Sequence, residues 1–385
     1  PGSTPVFINP ASDLAARHWD RLAVSRWDSA HYIGLALRGY SQCPEGSLLG
    51  KRLQPILYNC DLSFYPGYAA LGWLFSFGAA LPIDYVLWGL SLFAGFCFLF
   101  LWTGPALVKN LGLRTTWISF LIFNCFPTAF SLVTIQTESC TLAFALGSFA
   151  ALHRRHWILG ALLAGGASGM RVTGAAAGAA FALAVLVLSY RERPRGAWQI
   201  TSRLLALPLA VWGLLAMMGY HYVRFGDPLL YVHSHSEAYG HGPSILSLLF
   251  PKPEWLLRSI DHPLHEGVIL LLVSLWFILG HRRALSGFAF HEQVFWYTLT
   301  ASGMGVALLG SVELAFAGMN RYALLAFPIF FSIAAVLRTK PLALAVWLLA
   351  SSWHYWQVDM CDFVGNVGDH RLPYCNVPQW QTRHW

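Results

Sequence analysis

The sequence predicts an all-α, polytopic membrane protein with about ten to eleven transmembrane helices, and three observations predict it. Apolar residues make up 56% of the 385 and charged residues only 11%, where a soluble domain carries about 25% charge because its surface must face water. Aromatics reach 15%, with 17 Trp, and Trp and Tyr favour membrane interfaces, where an apolar ring meets a polar tip. Uncharged apolar runs follow one another along the chain, and crossing the hydrocarbon takes roughly 20 residues of helix.

The runs are Tyr85–Trp102, Trp117–Gln136, Ser139–Leu152, Trp157–Met170 and Val172–Tyr190, then Leu204–Tyr222, Gly267–Gly280, Val294–Val312, Tyr322–Leu337 and Leu342–Tyr355. The shorter ones borrow flanking polar residues or form re-entrant hairpins. Basic residues orient the set. Lys109 and Arg114, Arg154 and Arg155, Arg191, Arg193, Arg195 and Arg203, Arg282 and Arg283, and Arg338 and Lys340 fall in alternate loops. Lys and Arg collect on the cytoplasmic side, so these loops are expected inside. The net charge of +7 expresses that bias and calls for no nucleic acid.

A single membrane domain over residues 1–385 is therefore expected. Residues 1–81 form its first outer loop, 82–355 its transmembrane helices, 221–266 a large outer loop and 356–385 an outer tail. A chain of this orientation begins in the cytoplasm, yet its first residues already belong to an outer loop with no signal-peptide pattern. A helix preceding residue 1 is expected. The compartment facing the outer loops is a bacterial periplasm or, alternatively, an ER lumen. Cys43 and Cys60 share the first outer loop, and Cys361 and Cys375 share the tail. In an oxidising compartment two local disulfides or four free thiols both fit. Cys97, Cys125 and Cys140 lie within spans as small apolar fillers.

The outer loops carry the polar residues. Over residues 13–40, Trp19, Leu22, Ala23, Trp27, Ala30, Ile33 and Leu37 recur at helical spacing, while Arg17, Asp20, Arg21, Asp28 and His31 fall away from that stripe. An amphipathic helix, or a pair, is expected on the membrane surface with its carboxylates pointing off it. Its charges either carry chemistry or are simply solvated. The segment from Asp61 to Ala80 follows, with Pro66 fit for a first helical turn, and reads as a helix half-sunk in the interface. Gly165-Gly-Ala-Ser-Gly169 lies within a span and follows no strand, which fits close helix packing and not a nucleotide loop.

Several of these residues resemble the GPI mannosyltransferase 2 family and its bacterial relatives. Arg26-Trp-Asp-Ser-Ala-His-Tyr32, followed by Arg38-Gly-Tyr40, is similar to that family's first outer-loop motif. Phe64-Tyr-Pro-Gly-Tyr68 resembles its Phe-Phe-Pro-Leu-Tyr element, and Phe126-Pro-Thr128 with Thr137-Glu-Ser139 resembles its Phe-Pro and Tyr-Ser/Thr-Glu-Ser pair. Arg171-Val-Thr-Gly174 resembles Thr-Arg-Pro-Thr-Gly, with Val172 in place of Pro. Fainter likenesses are Phe225-Gly-Asp-Pro228 and Arg321-Tyr-Ala-Leu-Leu-Ala-Phe-Pro328. The tail after Trp356 resembles nothing in it.

The resemblance implies a GT-C-like fold and a glycosyltransferase, most simply a mannosyltransferase. Such an enzyme moves a sugar with inversion from a polyprenyl- or dolichyl-phosphate donor to a lipid-linked or glycan acceptor at the lipid bilayer. It implies Asp28 as the acid of the outer-loop motif, with Asp20 in reserve. Inversion needs a base on the acceptor hydroxyl, while a phosphate leaves as a stable anion and needs no acid, so one carboxylate is enough. Arg26, His31, Tyr32, Glu138, Arg171, Arg321 and His233 are the expected substrate-binding residues. Arg171 and Arg321 suit the donor phosphate, which a planar fork of donors matches. Alternatively Arg171 balances Glu138 inside the protein, because intramembrane charges also pair internally. No cofactor is required by this chemistry, and a divalent cation stays open as a helper. His233, His235 and His241 do not share one helix face, so no metal site is assigned to them. The rival class is a lipid or small-molecule transporter or flippase without covalent chemistry. Transporters favour internal repeats and midplane ionisable groups, and neither is evident.

Overall fold

The computed structural model describes residues 28–40, 62, 64–126, 129–192, 196–239, 266–311 and 324–353. Among them every regular element is helical and none is a strand. We number the helices α1 Ser29–Arg38, α2 Pro66–Phe75, α3 Ile83–Trp102, α4 Pro105–Leu111, α5 Leu113–Asn124, α6 Glu138–His153, α7 Trp157–Met170 and α8 Ala175–Glu192. The series continues with α9 Ala197–Leu209, α10 Trp212–Phe225, α11 Leu230–Tyr239, α12 Glu266–Leu285, α13 Phe290–Ser311, α14 Pro328–Leu337 and α15 Pro341–Trp353.

Among the described residues two helices are long and apolar enough to cross a membrane: α3, and α8 with the short 3₁₀ turn before it, Val172–Glu192. The pair α9 and α10, bent by 50° at its break, makes a third if it counts as one span. Each expected apolar run overlaps a described helix, and several are interrupted. The run Trp117–Gln136 is divided because α5 stops at Asn124, whose side-chain amide donates back to the carbonyl of Phe120, and a 3₁₀ turn follows at Ala129–Leu132. The run Leu204–Tyr222 breaks beyond Pro208, which cannot donate to the helix ladder. α10 also continues to Phe225, so the large outer loop expected from His221 starts later and carries α11.

α6 and α7 lie against each other and both touch α8; α6 also packs on α3, and α7 on α9 and α10. Small residues permit the approach. Gly165 and Gly169 meet α10 at Trp212 and Gly213, and a Cβ on Gly213 would strike the Gly165 carbonyl. The Ser168 hydroxyl accepts the backbone N–H of Leu214 at 3.1 Å. The glycine stretch therefore serves close packing, as its spacing predicts. The same core has an aromatic side: Phe98, Trp102, Phe123, Trp296, Phe327, Phe330 and Phe331 are all fully buried and stack edge-on or tilted.

Candidate functional site at the head of α6

Asp28 sits just before α1 and is half-buried, and its carbonyl accepts the N–H groups of His31 and Tyr32. The helix it starts is anchored by the polar motif residues. The Ser29 hydroxyl donates to the carbonyl of Ile135 at 2.8 Å, joining positions 106 residues apart. His31 stacks on Phe64 with centroids 4.1 Å apart, and Tyr32 sets its ring edge-on to both Phe64 and Tyr68. The Tyr40 hydroxyl donates to the Phe64 carbonyl at 2.5 Å. The helix has one face against protein and one that is exposed. Ser29, Tyr32, Leu35 and Ala36 are buried against protein, whereas Leu37 of the apolar stripe is exposed. Periodicity located the stripe but not what the opposite face would meet, and that face turns inward onto α2 and α3.

α2 begins at Pro66, where a missing N–H costs nothing, and its ten residues are too short to cross the hydrocarbon. Gly67 lies on the backbone of Gly169, where any side chain would collide with the carbonyl. The Tyr68 hydroxyl donates to the Leu87 carbonyl at 2.6 Å and lies 2.7 Å from the Ser91 hydroxyl, which reaches the carbonyl of Gln136 at 3.2 Å. These bonds hold the segment leading into α6 against α1, α2 and α3.

Glu138 opens α6, where the positive end of the helix dipole suits a carboxylate. Arg171 ends α7 in extended conformation, ahead of the 3₁₀ turn Val172–Gly174. A Cβ on Gly174 would run into the Ala167 carbonyl, so this turn folds tightly back on α7. Arg171 Nη1 donates to Glu138 Oε1 at 2.5 Å, and both side chains are buried. The internal ion pair weighed against phosphate binding is thus present.

Tyr32 stands among these groups. Burial first, then the charge of Asp28, pushes its hydroxyl well above the usual range; Glu138 adds to the rise, while Arg171 and the neighbouring Thr137 oppose it. Asp28, Tyr32, Thr137, Glu138 and Arg171 therefore form one polar cluster drawn from three separated motifs. A small cavity beside the ion pair is lined by Glu138, Thr141, Leu142, Arg171, Thr173, Leu324 and Leu325. The last two belong to the segment that begins at Arg321.

His233 lies elsewhere, on α11, with its ring nitrogen 2.6 Å from Asp227. Burial raises the Asp227 pKa, but the His233 hydrogen bond, the Leu229 N–H and the nearby imidazoles outweigh it and hold the carboxyl below its usual range. That helix touches α2 through Tyr231 and Tyr65, whose rings are 4.6 Å apart. Arg26, Asp20, Arg321, Cys43, Cys60, Cys361 and Cys375 lie outside the described residues, as do the side chains of His235 and His241. Among the described residues no three His, Cys, Asp or Glu side chains group as metal ligands.

Sequence reasoning passed over Ser29, Gln136, Thr173 and His221. Gln136 and His221 are buried with no side-chain partner among the described residues, and His221 is ringed by Tyr40, Tyr220 and Phe225. Their spacing carried no signal, because an isolated Gln or His in an apolar run looks the same whether or not its polar atoms are met. Fold and cluster define a helical protein with helices able to span a membrane and a charged site at the head of α6. Compared with family models, with curated proteins and with solved structures, the chain matches none.

Proposed function

We propose that this chain is a polytopic membrane glycosyltransferase of GT-C-like architecture, working on the periplasmic or lumenal face with a polyprenyl-phosphate sugar as donor. The observation that carries the proposal is the meeting of three motif segments, around Asp28, Glu138 and Arg171, at Tyr32. Segments more than 100 residues apart have no need to bring two acids, an arginine and two hydroxyls together unless the polar groups serve a common purpose. Buried charge is costly and needs a reason.

In this reading Asp28 takes the proton of the acceptor hydroxyl as its oxygen attacks the anomeric carbon. The bond from that carbon to the donor phosphate breaks with inversion, and polyprenyl phosphate leaves with the electron pair. Asp28 suits the part by position: it is only half-buried, at the open end of α1. Arg171 serves the phosphate if it exchanges or shares Glu138 with the donor. Otherwise the pair braces α6 against the break before α8, and the phosphate is met by other groups.

Purified protein in nanodiscs, given labelled polyprenyl-phosphate mannose and a lipid extract, should transfer label to lipid or glycan. Absence of transfer to any acceptor, with donor left intact, counts against the enzyme. A transporter remains the second reading, favoured by the 50° break between α9 and α10 and the interruption at Arg171, since transporters bind at broken helices. Movement of labelled lipid across proteoliposomes without product would decide for it.

A further inference from the structure

We infer that the cavity beside the Arg171–Glu138 pair is a seat for one hydroxyl group, with the Thr173 side chain as its designed partner. Thr173 is 1% exposed and lines this cavity, and its buried hydroxyl has no hydrogen-bond partner among the described residues. An orphaned buried hydroxyl is expensive to keep, and most such groups in folded proteins turn out to be met by ordered water or ligand. The free space next to it is about that of one water molecule, the minimum that lets water enter. Its walls combine the charged pair with the apolar side chains of Leu142, Leu324 and Leu325. That mixture accepts a small neutral group able both to donate and to accept, and has no room for a second charge. Thr173 is held there by the 3₁₀ turn Val172–Gly174, which Gly174 packs onto the Ala167 carbonyl, so its hydroxyl has little freedom to seek a partner elsewhere.

The occupant is a hydroxyl from one of two sources: an ordered water, or a hydroxyl of a sugar substrate that displaces it. The second source rests on the transferase reading; the seat itself does not. High-resolution cryo-electron microscopy of the full chain in nanodiscs, without substrate, tests the seat. A water-sized feature within hydrogen-bond distance of the Thr173 hydroxyl is expected in wild type and in Thr173→Ser, and should vanish in Thr173→Val. Thermal unfolding gives an independent readout. Thr173→Val should unfold at a lower temperature than wild type and Thr173→Ser should not, because a satisfied hydroxyl contributes and an unmet one does not. Kinetics with polyprenyl-phosphate mannose then separates the sources. A three- to tenfold rise in KM for Thr173→Val, about one neutral hydrogen bond, with kcat kept and Thr173→Ser normal, assigns the seat to the sugar. Unchanged KM assigns it to water. No feature in wild type, with Thr173→Val as stable as wild type or more so, overturns the inference. Wild type that transfers no sugar defeats the transferase reading and leaves the first two measurements to decide the seat.

Discussion

Glu138, at the first turn of α6, pairs with Arg171 at 2.5 Å with side chains 3% and 10% exposed. Just past the last turn of the same helix, Arg155 pairs with Glu192 at 2.7 Å with side chains 59% and 31% exposed, and Glu192 also takes Arg203 at 2.9 Å. The chemistry is the same at both ends; the surroundings are not. In water an ion pair gains little over its two solvated partners. Out of water each charge has already lost its hydration, so removing one partner strands the other. His153 at the far end adds a third case, lying 2.6 Å from a buried Glu292 whose other oxygen accepts the Ala289 N–H. The comparison teaches that the Glu138–Arg171 pair is tightly determined by contacts it cannot give up, while the exposed Arg155–Glu192 pair can trade its contact for water.

The sharpest way to separate the two ends is activity. Asp28→Asn keeps shape and hydrogen bonding but cannot take a proton, so transferase turnover should drop by ~10²–10⁴ with the fold intact. Arg155→Ala should leave turnover unchanged. Near-normal transfer by Asp28→Asn with loss in Asp20→Asn would shift the base upstream; normal transfer by both would remove the mechanism.

Next in size is stability at the buried pair. Glu138→Gln or Arg171→Met alone should cost about 3–5 kcal/mol in unfolding measured in detergent, and the combination Glu138→Leu with Arg171→Met should recover most of it. Arg171→Lys retains charge but loses the planar fork, so donor KM should rise even where expression survives. Full activity in Arg171→Lys beside a collapsed Glu138→Gln would make the pair purely a brace. At the exposed end, Arg155→Ala should cost only ~0.2–1 kcal/mol, and less at high salt. A loss as large as at Glu138 would erase the contrast between the ends.

The smallest expected effect is in pH. His291, near Glu292 at the start of α13, is held below its usual 6.5, chiefly by burial, although Glu292 pulls the other way. The unfolded chain then binds the proton more readily than the folded one. Stability should therefore rise as pH climbs through 6.5 and fall on acidification below it. His291→Gln should flatten that part of the unfolding curve; an unchanged slope would place its origin in another group.

The helices and their apolar runs were legible because hydrophobic composition and spacing act locally, and Tyr85–Trp102 and Val172–Tyr190 became α3 and the span from Val172 with only small shifts of boundary. Breaks were harder to read. Asn124 and the bend between α9 and α10 interrupt runs that look continuous in composition, since one side-chain amide or one proline outweighs many apolar neighbours. Of the candidate site, Asp28, Tyr32, Glu138 and Arg171 were singled out by motif. Ser29 and Thr173 lay inside the quoted motifs but were given no role, because neither the bond to the distant Ile135 carbonyl nor an unmet hydroxyl can be read along the chain.

The sequence by itself determined an apolar, helical chain, the spacing of its small residues and which polar residues were scarce enough to notice. Tertiary structure decided which of them meet. It turned the polar face of α1 inward, joined Glu138 to Arg171 across 33 residues and set Thr173, its hydroxyl unmet, in the wall of a cavity. The physical reason is range: hydrophobic period and helix propensity are summed over near neighbours, whereas a hydrogen bond or an ion pair is made by whichever group the packing of distant helices brings within about 3 Å.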